Sequence, residues 1–270
     1  MAQIHAVDPL AEYNRQRWNE LAQAGIEFSR PLLDLNSATA RHFLDPYGIM
    51  GDVAGRQVLC LAGSGGQQAV AFALLGAHTT VFDLSDVMLE RDRAAAAHYE
   101  LSICSEQGDM RDLSRFANDA FDIVYQAYSI NFVPDVNPVL QEVARILRPQ
   151  GLFRIEWHNP FTQTIDESSW TGRGFVLEAT YQDGRDVSDH FPDWEVTGVD
   201  NTVHRVRGPK SFVHGLGTMI NRLSALGFVI RHCSEHTGAG ADMTPGSWDH
   251  YMAVTAPWIT LWSAYRPDLT

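Results

Sequence analysis

Apolar residues recur along the chain in two rhythms, short continuous runs and longer stretches with one apolar face, which together predict strands alternating with helices. The short runs at 58–61, 79–82, 101–104, 121–125 and 152–157 read as five strands. The fourth, FDIVY, is almost wholly apolar, as a strand covered on both faces should be. Helices are expected at 67–75, from the capping Ser85 to about 98, and at 136–147, where Pro149 and Gly151 stop the last. Two more, at 9–24 and 37–47, precede the series. From 158 to 209 the rhythm breaks: aromatic residues scatter among turns, and 175–181 and 202–207 alternate as small antiparallel strands would. Fifty residues exceed an ordinary connection, so this stretch is expected to be a functional insertion. A helix at 211–226 and strands at 228–232 and 259–265 complete the pattern. The predicted fold is a doubly wound, Rossmann-like α/β sheet of about seven strands with a closing antiparallel strand and a β-rich cap.

The residues at 57–83, QVLCLAGSGGQQAVAFALLGAHTTVFD, form the βαβ unit on which chemistry can be placed. Glycines at 63, 65 and 66 suit a backbone that turns sharply out of a strand against a ligand. Asp83 ends the second strand about 20 positions beyond the first glycine, where a carboxylate can accept both hydroxyls of an adenosine ribose. Nucleoside binding is the sharper reading; a turn and nothing more is the bland one.

Composition narrows the classes. A chain of 270 residues, 45% hydrophobic and 20% charged, suits one globular domain with an elaboration. A formal charge of −13 disfavours a nucleic-acid partner, which needs a basic face. No basic-then-apolar leader and no membrane-length apolar run is visible, so the expected location is the cytoplasm, without a membrane partner. Cys60, Cys104 and Cys233 lie within or beside apolar runs and read as buried, reduced thiols.

In order along the chain, VLCLAGSGG, FDLS, GDMRDL, FDIVYQAYSINFVPD and LQEVARILRPQGLFRIEW resemble the successive motifs of class I S-adenosylmethionine-dependent methyltransferases. The likeness is to the small-molecule branch that includes the ubiquinone and menaquinone biosynthesis enzymes. It implies a cofactor-binding core at 57–157, an N-terminal segment (1–56) that closes over the cofactor, and a closing helix, strand and strand at 211–270; the insertion at 158–210 matches no part of the family pattern and is expected from its length to cap the substrate. Carried over position by position, it puts Ala62, Gly63 and Ser64 against the methionine moiety of S-adenosylmethionine and Asp83 on the ribose. Leu84 and Met88 fall near the adenine, with Asp109 on its amine and Met110 on its face. Gln126 and Ala127 fall on the methionine side, and Tyr13, Trp18 and Arg30 on the closing segment. The family reads D-x-G-x-G-x-G, whereas this chain has Cys60, Ala62 and Ser64 at its acidic position and first two glycines.

Methyl transfer from a sulfonium needs a positioned nucleophile and excluded water, and a base only where the nucleophile arrives protonated. Tyr128 and Asn131 follow the fourth strand and His158 the fifth, so all three are expected to face the methyl. His158 and His214 are the candidate bases, each set against a histidine that only shapes its loop. His232, Cys233 and His236 are too far apart along a strand to share an ion, so no metal is expected. The expected activity is O- or N-methylation of a small organic acceptor, with the oligomeric state open. Its rivals are a non-catalytic nucleoside sensor or partner subunit, an enzyme using the same cofactor for aminopropyl transfer or elimination, and a nicotinamide-dependent oxidoreductase.

Overall fold

A computed structural model describes residues 8–269; the first seven residues of the N-terminal segment, and Thr270, lie outside the described residues. The chain begins with α1 (Pro9–Gln23) and α2 (Ser37–Leu44), then enters the core through β1 (Gln57–Leu61), α3 (Gln68–Leu74), β2 (His78–Asp83), α4 (Asp86–His98), β3 (Cys104–Gln107), β4 (Phe121–Gln126), α5 (Asn137–Ile146) and β5 (Leu147–His158). A hairpin follows, β6 (Asp193–Thr197) and β7 (Val203–Arg207), then α6 (Leu216–Ala225), β8 (Phe228–His236), α7 (Trp248–Thr255) and β9 (Trp258–Tyr265). Seven strands pair in the order β3-β2-β1-β4-β5-β9-β8. The first five run parallel, and β9 lies antiparallel between β5 and β8. An all-parallel dinucleotide-binding sheet would carry a parallel strand at that place.

Burial follows the apolar pattern. Leu59, Leu61, Val124, Phe153, Ile155 and Trp157 pack on one face against Val139, Leu140 and Val143 of α5 and Met219 and Leu223 of α6. Val58, Cys60, Ile123 and Tyr125 pack on the other against Ala40 and Leu44 of α2 and Ala69 and Phe72 of α3. Ser85 accepts the Met88 amide at 3.1 Å and so caps α4, which fixes the direction in which the chain leaves Asp83.

Several expectations shift. The third strand is Cys104–Gln107, not 101–104, because pairing with Thr80–Asp83 sets its register while Ile103 packs beneath the connection. Residues 175–181 form no strand; Phe175 instead packs against Tyr251 of α7, a helix the sequence pattern did not reveal. The cap hairpin pairs 193–197 with 203–207. Its Val196, Trp194 and Val206 join Trp18, Leu21 and Ile26 in a cluster, so the N-terminal segment and the insertion form a single roof. The late helix starts at Leu216, leaving His214 in extended chain. Only Cys60 is buried; Cys104 and Cys233 are exposed because they sit on the sheet's two edge strands.

The turn after β1 tolerates no added bulk at Gly63, where a Cβ would stand 2.4 Å from Val81 Cγ2 in the adjacent strand. Gly63→Ala is therefore expected to lower unfolding free energy by about 1–3 kcal/mol through overpacking, checked by urea denaturation.

Candidate active site

A cleft with about 710 Å³ of empty space, part of it open to solvent, lies at the carboxyl ends of β1, β2 and β4. This is where a doubly wound sheet presents its ligands. Its floor is the turn from β1 to α3, in which Ala62, Ser64, Gly65 and Gly66 all have φ between 56° and 95°. Two non-glycine residues in that left-handed region store strain that the surroundings must hold in place. The Ala62 amide donates to Phe82 O at 2.8 Å, and the Gly66 amide to Asp92 Oδ1 at 2.8 Å. Gly108 leaves the other wall open, since a Cβ there would lie 2.3 Å from the Phe82 ring.

Asp83 ends β2 and lines the cleft. Burial raises its carboxyl to about 6, opposed by backbone amides including that of Ser85, which donates at 2.8 Å. No described cation pairs with this carboxylate, so the ionised form gains from any ligand that donates hydrogen bonds to it. Leu84, Met88 and Met110 supply apolar wall. Asp109 lines the cleft as well and is gripped by Arg111, whose Nε donates to Oδ1 at 3.0 Å. Arg111 Nη1 also reaches Asp8 Oδ2 at 2.8 Å, and Asp8 caps α1. The roof helix is thereby tied to the wall of the cleft.

Of the residues the motifs selected, Trp18, Ala62, Ser64, Asp83, Leu84, Met88, Asp109, Met110 and Tyr128 converge on this cleft. Gly63 supports the same turn from behind. Gln126 is fully buried below it, with Nε2 donating to Ser129 Oγ at 3.1 Å, and Ala127 O accepts from Ser129 Oγ at 3.2 Å. Tyr13 and Arg30 lie outside the wall and hold the roof: Tyr13 OH donates to Gly208 O at 3.3 Å and Arg30 Nη2 to Thr197 O at 2.6 Å. Sequence reasoning missed Asn14, a buried α1 residue. Its Nδ2 donates to Phe132 O at 3.0 Å and its Oδ1 accepts from Lys210 N at 2.8 Å. One polar residue on the apolar side of an irregular helix was the available signal.

The catalytic candidates separate. His158 packs beside Tyr128, ring centroids 6.3 Å apart, and beside Trp258 at 6.4 Å. Its Nδ1–H donates to Asn159 O at 3.1 Å, so Nε2 carries the lone pair, and burial lowers its pKa to about 4. Burial also raises the Tyr128 phenol well above its ordinary range, keeping it protonated. His214 is 1% exposed and donates through Nε2 to Ile130 O at 3.0 Å, bracing the loop after β4 instead of facing the cleft. Asn131 is likewise enclosed: Oδ1 accepts the His158 amide at 2.9 Å and Nδ2 donates to Phe212 O at 2.9 Å. His232 stacks on Tyr47, whereas His236 Nε2 lies 2.8 Å from Thr260 Oγ1. Among the described residues no group of three or more His, Cys, Asp or Glu could hold a metal ion. Nor is any described helix long and apolar enough to cross a membrane.

The methyltransferase domain family matches residues 59–155. An uncharacterized methyltransferase, YbaJ, of Bacillus subtilis is 38% identical over 114 residues, covering 42% of this chain and 45% of that protein. The ubiquinone/menaquinone biosynthesis C-methyltransferase UbiE of Rickettsia felis is 32% identical over 143 residues, covering 50% of this chain and 52% of that one. The chain thus spans about half the length of the curated relatives it matches. Among solved structures, geranyl diphosphate C-methyltransferase from Streptomyces coelicolor, crystallised with Mg²⁺, geranyl diphosphate and S-adenosyl-L-homocysteine, superposes with a TM-score of 0.61. It is 14% identical, over 96% of this chain and 99% of that one. An S-adenosylmethionine-dependent methyltransferase from Mesorhizobium loti superposes with a TM-score of 0.56 at 20% identity, over 86% of this chain and all of that one. With the sheet order, the glycine turn and Asp83 in place, residues 59–155 match the methyltransferase domain family, and the fold around them is that of the solved S-adenosylmethionine-dependent methyltransferases.

Proposed function

We propose that the protein transfers a methyl group from S-adenosylmethionine to a small organic acceptor by in-line displacement. The observation that carries this reading is Asp83: a half-buried carboxylate, facing the cleft beside a left-handed glycine turn, with no cationic partner among the described residues. The residues present fit the cofactor. Asp83 would accept the ribose hydroxyls, Leu84, Met88 and Met110 would flank the adenine, and the backbone of 62–66 would receive the methionine end. When bound, S-adenosylmethionine supplies an electrophilic methyl on a positively charged sulfur.

The protein's own task is then to place a nucleophile near that methyl and exclude water. Trp18 helps close the roof, in edge contact with Phe132 at 4.9 Å and Trp194 at 5.9 Å. His158 does not line the cleft itself but packs against Tyr128, which does; it is uncharged at neutral pH, so it adds no repulsion to a nearby sulfonium, and its Nε2 would accept a proton or hydrogen bond from an acceptor that reaches it. Relatives named as C-methyltransferases extend the candidate acceptor atom from oxygen and nitrogen to carbon. Cofactor-dependent release of S-adenosylhomocysteine across a panel of phenols, quinones, amines and activated carbon acids tests the reading; binding without release on any acceptor would favour the sensor.

Three outcomes are expected. A ligand that donates to ionised Asp83 binds fully above pH 6 and loses about tenfold in affinity per unit below it, as the carboxylate takes a proton. Calorimetric titration with S-adenosylhomocysteine from pH 4.5 to 8 would show this slope. Asp83→Asn should weaken binding by about tenfold at pH 8 and flatten the profile, because charge-assisted hydrogen bonds are replaced by neutral ones. His158→Ala should lower turnover on a responsive acceptor by about a hundredfold while leaving the cofactor dissociation constant unchanged. An equal loss in both would place His158 in the scaffold.

A further inference from the structure

The first strand of this chain breaks the methyltransferase pattern at one position: Cys60 stands where the family carries an acid. Its thiol is buried and held protonated by burial and by the nearby Asp92, so it does not act as an anion. Yet the turn that follows is more demanding than an all-glycine one, since Ala62 and Ser64 are held at φ 56° and 57°. Something must fix it, and the structure supplies a group from another element.

Asp92 lies in the middle of α4, 0% exposed, and its Oδ1 accepts the Gly66 amide at 2.8 Å. Its Oδ2 is also enclosed and makes no hydrogen bond within the protein. The approach is tight. A Cβ on Gly66 would lie 2.9 Å from Ala95 Cβ and 3.1 Å from Arg91 O, so α4 presses its backbone and Asp92 together onto the turn. Arg91, the neighbouring residue, reaches the other way to Ser29 O at 2.7 Å and to Ala22 O, tying the same stretch of helix to the N-terminal segment. A buried carboxyl placed mid-helix with no ion pair among the described residues, and with Asp83 close enough to oppose its charge, is costly, and its hydrogen bond to the turn offsets that cost.

We propose that Asp92 supplies from α4 the carboxyl group that the family pattern places on β1, and that it positions the 62–66 turn for the cofactor. The inference rests on the reading of the cleft as the cofactor site. Asp92 is a positioning residue: it touches the turn, and the turn touches the ligand.

Calorimetry with S-adenosylhomocysteine, run beside thermal melting, tests it. Asp92→Asn keeps an acceptor at the same place and should bind within about threefold of the parent, whereas Asp92→Leu keeps the volume, removes the acceptor and should weaken binding by about tenfold or more. The double variant Asp92→Leu with Cys60→Asp returns a carboxyl to the strand and should recover most of the loss. A residue that merely stabilised α4 would give the opposite result, since a second buried acid would destabilise further. Equal binding by parent and a folded Asp92→Leu overturns the proposal, as does a double variant that binds no better than the single one. Should Asp92→Leu not fold, the double variant decides: recovery of folding and binding supports the inference, and failure of both overturns it. A parent protein that binds no S-adenosylhomocysteine would instead overturn the cofactor reading itself.

Discussion

The constraint on which the structure turns is the passage of the backbone out of β1, where four residues between 62 and 66 adopt left-handed dihedrals. Such a segment is not stable by itself; each non-glycine residue in it costs on the order of 1–2 kcal/mol. Three separate parts of the chain hold it. β2 accepts the Ala62 amide through Phe82 O, α4 accepts the Gly66 amide through Asp92, and the N-terminal segment donates the Leu32 amide to Gly66 O at 3.0 Å. Gln67 at its end donates Nε2 to Arg30 O at 2.9 Å. The cleft is therefore preorganised by a backbone that core and roof jointly over-determine.

The electrostatics of the cleft follow from the same economy of charge. Asp83 and Asp109 line it, and Arg111 is already engaged with Asp109 and Asp8. His158, beside Tyr128, is neutral above about pH 4. A cationic sulfonium thus meets carboxylates and uncharged groups, while a free anion would have to compete with two acids for one arginine. The acidic balance of the whole chain acts in the same sense at longer range.

Much of this was legible in the sequence where one residue type answers one local demand. The parallel core could be read from continuous apolar runs, and Asp83 from its distance to the glycines, because burial on both faces and a strand-end carboxylate leave marks within about 25 residues. The third strand slipped because an edge strand is half exposed and its register is set by β2, not by its own hydrophobicity. Asn14, Arg111 and Asp92 escaped for a related reason. Each is a polar side chain with a partner 26 to 196 residues away, Asp8 in the case of Arg111, and nothing local reveals that long-range contact. His214 drew attention for its chemistry; its carbonyl partner at Ile130 shows only in three dimensions.

The division of labour between core and roof bears on what the acceptor can be. The family likeness spans 59–155, and the residues there that line the cleft are the ones a nucleoside cofactor would occupy. Outside that span the structure adds further aromatic contacts: Trp258 beside His158, Tyr251 against Ile165 and Phe175, and the Trp18–Trp194 contact of the roof. Aromatic rings accept flat or cationic guests without demanding a fixed hydrogen-bond pattern. Two chains can therefore share the core motifs in full and still methylate unlike molecules. The N-terminal helix and the inserted hairpin meet in a cluster built from residues that no core motif contains.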